Sequence, residues 1–207
     1  MRALFQRSLI LTLALTALIA LSAIPAVGAV GYFVTIDTSS VNGTSGFLDF
    51  QLNPGNGSSQ SVTAQIVNFG GDGVVSGVPD IAGDVSGTLP STVTFTNTAA
   101  LNEYFQAFQY GTKISFLLVV SGPAIDSPNG MSNAGSTFGV GLYDSNQLPI
   151  LTDQGSVTGF VFQVDVNLNG TTTPTAFPTA NEGPSVATFS PTLSPEDLFY
   201  FLYFFFA

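Results

Sequence analysis

The sequence predicts an all-β fold, a two-sheet antiparallel β-sandwich, on three observations. Short stretches that alternate apolar and polar residues are separated by clusters of Gly, Pro, Asn and Asp. Charged residues make up 8% of the chain against 45% hydrophobic residues, which argues against disorder. The chain has no Cys, so a hydrophobic core must stabilise it without disulfides. Stacked sheets provide such a core, and a jelly roll is one arrangement of them.

The first strands follow from this alternation. Residues 32–37 are rich in strand-forming side chains and form the first predicted strand. In residues 46–52 the two leucines and Phe50 share one face, so we expect Asp49 to point outward as a solubilising residue. The Asn-Pro-Gly-Asn-Gly segment at 53–57 then forms a turn.

Shorter strands follow in the middle of the chain. Residues 62–69 alternate again, and the Gly-Gly-Asp-Gly segment that follows them ends this strand. We expect weaker strands at 74–78 and 81–86, and a short strand at 93–96 that is rich in strand formers.

One segment, residues 99–109, is a helical candidate. Leu101, Tyr104, Phe105 and Phe108 recur at a helix-like spacing. An aromatic loop that closes one end of the sandwich is an equally good interpretation.

The remaining strands complete a single domain. Residues 114–120 form a continuous apolar run, which predicts a central strand covered on both sides. We expect further strands at 137–143 and 159–166, an Asn-Gly turn at 169–170 and a last strand at 186–189. The predicted β-sandwich domain therefore spans residues 30–190.

The N-terminal residues 1–29 have the pattern of a secretory signal peptide. Arg2 and Arg7 precede an apolar run at 9–23, and small residues lead to a cleavage site after Ala29. This pattern predicts a signal-peptide helix, export, and signal peptidase as a partner. An uncleaved anchor is the alternative, but the run is shorter than the roughly 20 residues that span a bilayer.

Cleavage leaves Lys113 as the single basic residue against thirteen acidic residues. Binding to nucleic acid depends on cationic contacts, and binding to anionic lipid does too. We therefore expect no nucleic-acid partner for the exported chain.

The residue types present exclude several kinds of active site. Without His or Cys, the chain cannot form a Ser-His-Asp triad, a Cys-His pair or a His- or Cys-ligated zinc site. A glycosidase needs two carboxylates that face one sugar linkage. Five of the thirteen acidic residues are candidates for such a pair, and no spacing brings two of them together: Asp49, Glu103, Asp126, Asp144 and Asp165. We expect no enzyme activity and no catalytic residue.

One string has the spacing of metal ligands. Asp165, Asn167, Asn169 and Gly170 match the first half of an EF-hand loop, D-x-N-x-N-G. The twelfth position is Ala176, where that loop needs a Glu. An alternating strand that ends in an Asn-Gly turn is the favoured explanation of the string. Calcium is the one cofactor that the sequence leaves open.

A cluster of aromatic residues offers ring faces on which a sugar could stack: Tyr104, Phe105, Phe108 and Tyr110. The chain has no Trp, and its 19 Phe against 6 Tyr favour rings that fill the core. Sugar binding and core packing are thus competing interpretations of this cluster.

Several strings carry a resemblance to a known family: SGFLDFQLNPG at 45–55, VNFGG at 67–71, GTLP at 87–90, LVVSGP at 118–123 and FGVGLYD at 138–144. On these strings the chain resembles exported bacterial proteins of the PEP-CTERM type. The resemblance implies a β-rich surface or matrix component that an exosortase system sorts. It implies no catalytic residue.

The C-terminal residues 191–207 depart from that family's sorting signal. Pro195 and Glu196 are followed by Asp197, the apolar stretch at 198–207 is half the usual length, and no basic cluster follows. We therefore expect a degenerate or truncated tail, and the sequence does not support membrane anchoring.

Together these observations predict an exported, non-enzymatic β-sandwich protein of the bacterial cell envelope or extracellular matrix. The alternative is a carbohydrate-binding module, with calcium dependence as one form of it. Extracellular polysaccharide and other envelope proteins are the partners that these functions imply.

Overall fold

The computed structural model of the protein describes residues 28–153 and 158–192. Thirteen strands make up most of this part of the chain. They are β1 (Val30–Asp37), β2 (Ser45–Pro54), β3 (Thr63–Gly71), β4 (Val74–Val75), β5 (Asp80–Ala82), β6 (Val85–Gly87), β7 (Val93–Thr96), β8 (Glu103–Gln109), β9 (Lys113–Ser121), β10 (Ser136–Asp144), β11 (Phe160–Val166), β12 (Thr172–Ala176) and β13 (Ala187–Pro191).

Helical structure is sparse in this part of the chain. It consists of a four-residue helix, α1 (Pro123–Asp126), and two 3₁₀ turns (Ser39–Val41 and Ala180–Glu182). Among the described residues, no helix has the length and apolar character needed to cross a bilayer. The predicted signal-peptide helix and nearly all of the predicted tail lie outside the described residues.

The strands form two antiparallel sheets, so the predicted β-sandwich is confirmed. The first sheet has the order β13-β1-β9-β3-β7-β6, and the second has the order β12-β11-β10-β2-β8-β4, with β5 also paired to β8. The first three strands lie alternately in the first, second and first sheet. Chain crossing between sheets in this way is the connectivity of Greek-key sandwiches, to which jelly rolls belong.

Aromatic and aliphatic side chains from both sheets fill the space between them. The largest fully buried ones include Tyr104, Tyr110, Phe50, Phe95, Phe138 and Phe162. Phe50 on β2 lies at the centre, with its ring centroid 5.7 Å from that of Phe116 on β9 and 6.5 Å from that of Phe138 on β10. Alternation on β2 places this ring inward, as the sequence predicts.

Neither interpretation of residues 99–109 is correct, because residues 103–109 form strand β8. Tyr104, Gln106 and Phe108 are buried at a spacing of two, whereas Phe105 faces the other side of the sheet. The aromatic residues of this segment fit both the helical period of 3.6 and the strand period of two. Pairing with β2 along seven residues favours the strand.

Two other expectations about strands need correction, and one strand was not predicted. Residues 114–120 lie centrally, between β1 and β3, but their outward side chains are only half-buried, so one face alone is fully covered. The predicted strand at 81–86 divides into β5 and β6. The sequence analysis missed β12, a Thr-rich strand whose Pro174 is tolerated because β12 is at the edge of its sheet.

Candidate functional site

The candidate site is the outward side of the second sheet, opposite the core. There β2 contributes Phe47, Asp49, Gln51 and Asn53, which alternate with its buried residues. We call this surface the polar–aromatic face. It comprises those four residues and their outward neighbours on the adjacent strands: Glu103, Phe105, Thr137, Tyr143, Gln163 and Asp165.

Three aromatic rings form one half of this face. The rings of Phe47 and Phe105 stack with centroids 4.8 Å apart and an interplanar angle of 17°. The ring of Tyr143 meets Phe105 edge-on at 5.8 Å. Gly141 lies beneath Tyr143, and a Cβ there would lie 2.7 Å from the ring, so a side chain at this position would displace the ring. All three rings are half-buried.

A chain of hydrogen-bonded amides forms the polar half. The backbone N–H of Asn102 donates to Oδ1 of Asn53 (2.9 Å), and Nδ2 of Asn53 donates to Oε1 of Gln51 (2.8 Å). Nε2 of Gln51 then donates to both Oδ2 of Asp49 (2.7 Å) and Oε1 of Glu103 (3.0 Å). The amide group of Gln51 therefore holds two carboxylates close together.

Asp49 lies at the junction of the two halves and is only 2% exposed, so the expectation that it is a solvated surface residue is wrong. In the sheet it is directly opposite Phe105 on β8 and Gly141 on β10, and the ring of Tyr143 covers Gly141. Aromatic side chains from two neighbouring strands thus shield an outward-pointing carboxylate from water. Its Oδ1 has no hydrogen-bond partner among the described residues.

Burial and nearby charges raise the pKa values of Asp49, Glu103 and Tyr143. Burial, and after it the negative charge of Glu103, raises the pKa of Asp49 to about 7, while hydrogen bonds from Gln51 and the Tyr143 hydroxyl act in the opposite direction. Burial and the charge of Asp80 on β5 raise the pKa of Glu103. Burial, with the charges of Asp49 and Glu103, raises the pKa of Tyr143 to about 12. Each shift favours the neutral form of the group.

Polar side chains continue across β10 and β11. Oγ1 of Thr137 donates to Oδ1 of Asp165 (2.7 Å), and Nε2 of Gln163 donates to its Oδ2 (3.0 Å). Gly139 lies between Gln51 and Gln163 in the strand register. The ring of Phe160 occupies the outward side of Gly139, where a Cβ would overlap it, so an aromatic ring separates Gln51 from Gln163 on this face.

The three residues predicted as metal ligands are engaged in local hydrogen bonds. Asp165 accepts the two bonds just described, and Nδ2 of Asn167 donates to the hydroxyls of Thr171 and Thr173. Oδ1 of Asn169 accepts from the backbone and the hydroxyl of Thr171. Among the described residues, no group of three or more acidic side chains could hold a metal ion. Calcium binding by the asparagine and aspartate oxygens stays a prediction.

The structure brings together two of the five carboxylates that the sequence analysis named, Asp49 and Glu103. Asp126 lies exposed at the end of α1, and Asp144 accepts backbone N–H groups of its own turn. The pattern Asp-x-Gln-x-Asn from residue 49 to 53 was the signal available in the sequence, since alternate residues of a strand share a face.

Three of the four clustered aromatic residues belong to the core. Tyr104, Phe108 and Tyr110 are buried, and only Phe105 reaches the polar–aromatic face. The hydroxyl of Tyr110 donates to the backbone oxygen of Phe47 (2.7 Å), which supports the aromatic half from beneath.

The chemical capacity of the face follows from this geometry. A glycosidase needs two carboxylates that a substrate can reach, whereas Asp49 is enclosed. The half-exposed amides, hydroxyls and Glu103 are hydrogen-bonding groups of the kind that match sugar hydroxyls.

Comparisons with protein-family models, curated proteins and solved structures find no significant match to this chain.

Proposed function

We propose that the protein is an exported, non-enzymatic β-sandwich of the bacterial cell envelope or extracellular matrix. The basic, apolar and small-residue pattern of residues 1–29 supports export. The resemblance to PEP-CTERM-type proteins supports a surface or matrix role. Asp49 is enclosed, so a substrate cannot reach both carboxylates of the Asp49–Glu103 pair. This supports a protein that does not hydrolyse glycosidic bonds.

Export is tested by fractionation of cells that produce an epitope-tagged chain. We expect the tagged protein at the cell surface or in the medium, shortened by its first 29 residues. Leu13→Arg interrupts the apolar run and should retain the protein in the cytosol. Leu148→Arg, at an exposed position of the folded domain, is the matched control and should be exported. Cytosolic recovery of the wild type with residues 1–29 intact would contradict the proposal.

A second candidate function is polysaccharide binding by the polar–aromatic face. The observation that favours it is that the stacked pair of Phe47 and Phe105 shares the face with Gln51 and Gln163, which lie on either side of the Phe160 ring. Aromatic edges provide apolar contact with a sugar ring, while amides both donate and accept hydrogen bonds. An open sheet face of this kind can contact several consecutive sugar units.

We expect Gln51→Ala and Gln163→Ala each to weaken binding to a recognised polysaccharide about tenfold, the effect of losing one or two hydrogen bonds. Gln65→Ala is the matched control, because Gln65 is a half-buried strand residue on the outer side of the first sheet. The measurement is affinity electrophoresis in immobilised polysaccharides, with and without calcium. No retardation in any polysaccharide, or equal losses in all three variants, would exclude this function. No calcium-dependent rise in Tm would exclude its calcium-dependent form.

A further inference from the structure

The least satisfied polar group in the described residues is the carboxyl group of Asp49. Its Oδ1 has no partner in good hydrogen-bonding geometry, although the Tyr143 hydroxyl lies close enough to the carboxyl group to lower its pKa. Its side chain is 2% exposed, and its Oδ2 shares the amide of Gln51 with Glu103. A buried carboxylate with an unpaired oxygen beside a second carboxylate is costly unless one of the two carries a proton.

Among the described residues, no cationic side chain lies near enough to neutralise the two carboxylates in place of that proton. On β8 the ionisable neighbour is Glu103, on β10 it is Tyr143, and on β5 it is Asp80, which acts on Glu103. Lys113, the basic residue of the described part of the chain, lies on β9 in the other sheet, opposite Asp37. The charges that face Asp49 are therefore all negative or neutral.

The amide of Gln51 has a fixed orientation in this arrangement. Its oxygen accepts from Asn53, so both of its N–H groups point to the carboxyl groups. When both carboxyl groups ionise, two negative charges lie beside the single amide group of Gln51, where little water reaches them. Separation of the two, or entry of water past the rings of Phe105 and Tyr143, relieves this repulsion.

We propose that Asp49 and Glu103 form a proton-sensing pair that keeps the side chains around Asp49 tightly packed while it holds a proton and loosens this part of the polar–aromatic face when that proton is lost. The proton-sensing pair does not depend on the proposed polysaccharide binding. It would act on such binding, because Gln51 donates to both carboxyl groups of the pair and is also one of the half-exposed amides of the face.

The direction of the pH effect follows from the raised pKa of Asp49. The folded state holds a proton up to about pH 7, whereas in the unfolded chain the group ionises near 3.8. Folding therefore binds a proton between these values, and stability falls as the pH rises from about 4 to about 7 and then levels off. Asp37, Asp72, Asp84 and Asp144 have lowered pKa values, so they titrate below this interval.

The test is the Tm of the exported chain between pH 5 and 8.5 without ligand. We expect the Tm of the wild type to fall by roughly 5–10 °C over this range. Asp49→Asn keeps the shape of a protonated carboxyl group and should remove most of the decline. Asp165→Asn, which changes a half-buried carboxylate of the same face, is the matched control and should keep it. At pH 8, amide hydrogen exchange in β2 and β8 should be faster in the wild type than in Asp49→Asn.

A wild-type Tm that does not change over this range, or an equal decline in Asp49→Asn, would overturn the proposal. Equal exchange rates in the two proteins at pH 8 would overturn the loosening of the face. If Asp49→Asn does not fold, the ¹³C NMR titration of the Asp49 carboxyl group in Glu103→Gln decides. Loss of the Glu103 charge should move the midpoint to lower pH, and an unmoved midpoint would refute the coupling of the pair.

Discussion

Phe50→Ala is expected to lower the free energy of unfolding by about 3–5 kcal/mol, the cost of removing a large buried ring and leaving a cavity. The side chain is fully buried between the sheets. Its ring contacts the rings of Phe69, Phe116 and Phe138, which come from both sheets. A smaller side chain therefore leaves a gap that neither sheet can fill alone.

Urea denaturation at pH 6 measures this loss, and Phe33→Ala provides the control. Phe33 lies on the outer side of β1 and is 55% exposed, so its replacement should cost less than about 1 kcal/mol. A similar cost for the two substitutions would contradict the placement of the core between these faces.

Asn102→Ala is expected to cost about 2–4 kcal/mol, because a fully buried amide loses several hydrogen bonds at once. Nδ2 of Asn102 donates to the backbone oxygens of Leu52 and Ala99 (2.8 Å each). Oδ1 accepts from the backbone N–H groups of Asp84 (2.9 Å) and Ala99 (3.3 Å). The side chain thus ties the start of β8 to β2 and to the loop before β6.

Asn129→Ala is the control for this substitution. Oδ1 of Asn129 also accepts several hydrogen bonds, from Met131 and Ser132, but these lie in an exposed turn. We expect its loss to cost less than about 1 kcal/mol in the same denaturation experiment. Because Asn102 precedes Glu103, its removal should also displace Glu103 from Gln51 and reduce the pH dependence of the Tm. An Asn102→Ala protein as stable as the wild type would show that water replaces the lost bonds.

Local patterns predicted most of the strands, because the period of two is imposed by the backbone of a strand itself. Residues 46–52 and 93–96 lie in strands as expected, and in 46–52 the two leucines and Phe50 share the buried face. Residues 99–109 were misread, because their aromatic residues fit two periods and only pairing with β2 decides between them. Strand β12 has few apolar residues, and it forms because β11 offers a free edge.

The candidate site was predictable only in part. Alternation places Asp49, Gln51 and Asn53 on one outward face, and that face is where they lie. It does not reveal that Glu103, more than fifty residues away along the chain, shares the amide of Gln51. The shielding of Asp49 depends likewise on side chains from β8 and β10.

The sequence by itself determined the all-β class, the need for a core without disulfides, and the absence of His and Cys chemistry, because composition and short-range alternation carry this information. The tertiary structure alone decided which outward residues become buried and which carboxylates meet. Burial and charge pairing are properties of neighbouring strands, and strand order is set by pairing between distant segments. An aspartate that local pattern assigns to solvent therefore becomes a buried carboxyl group with a pKa raised to about 7.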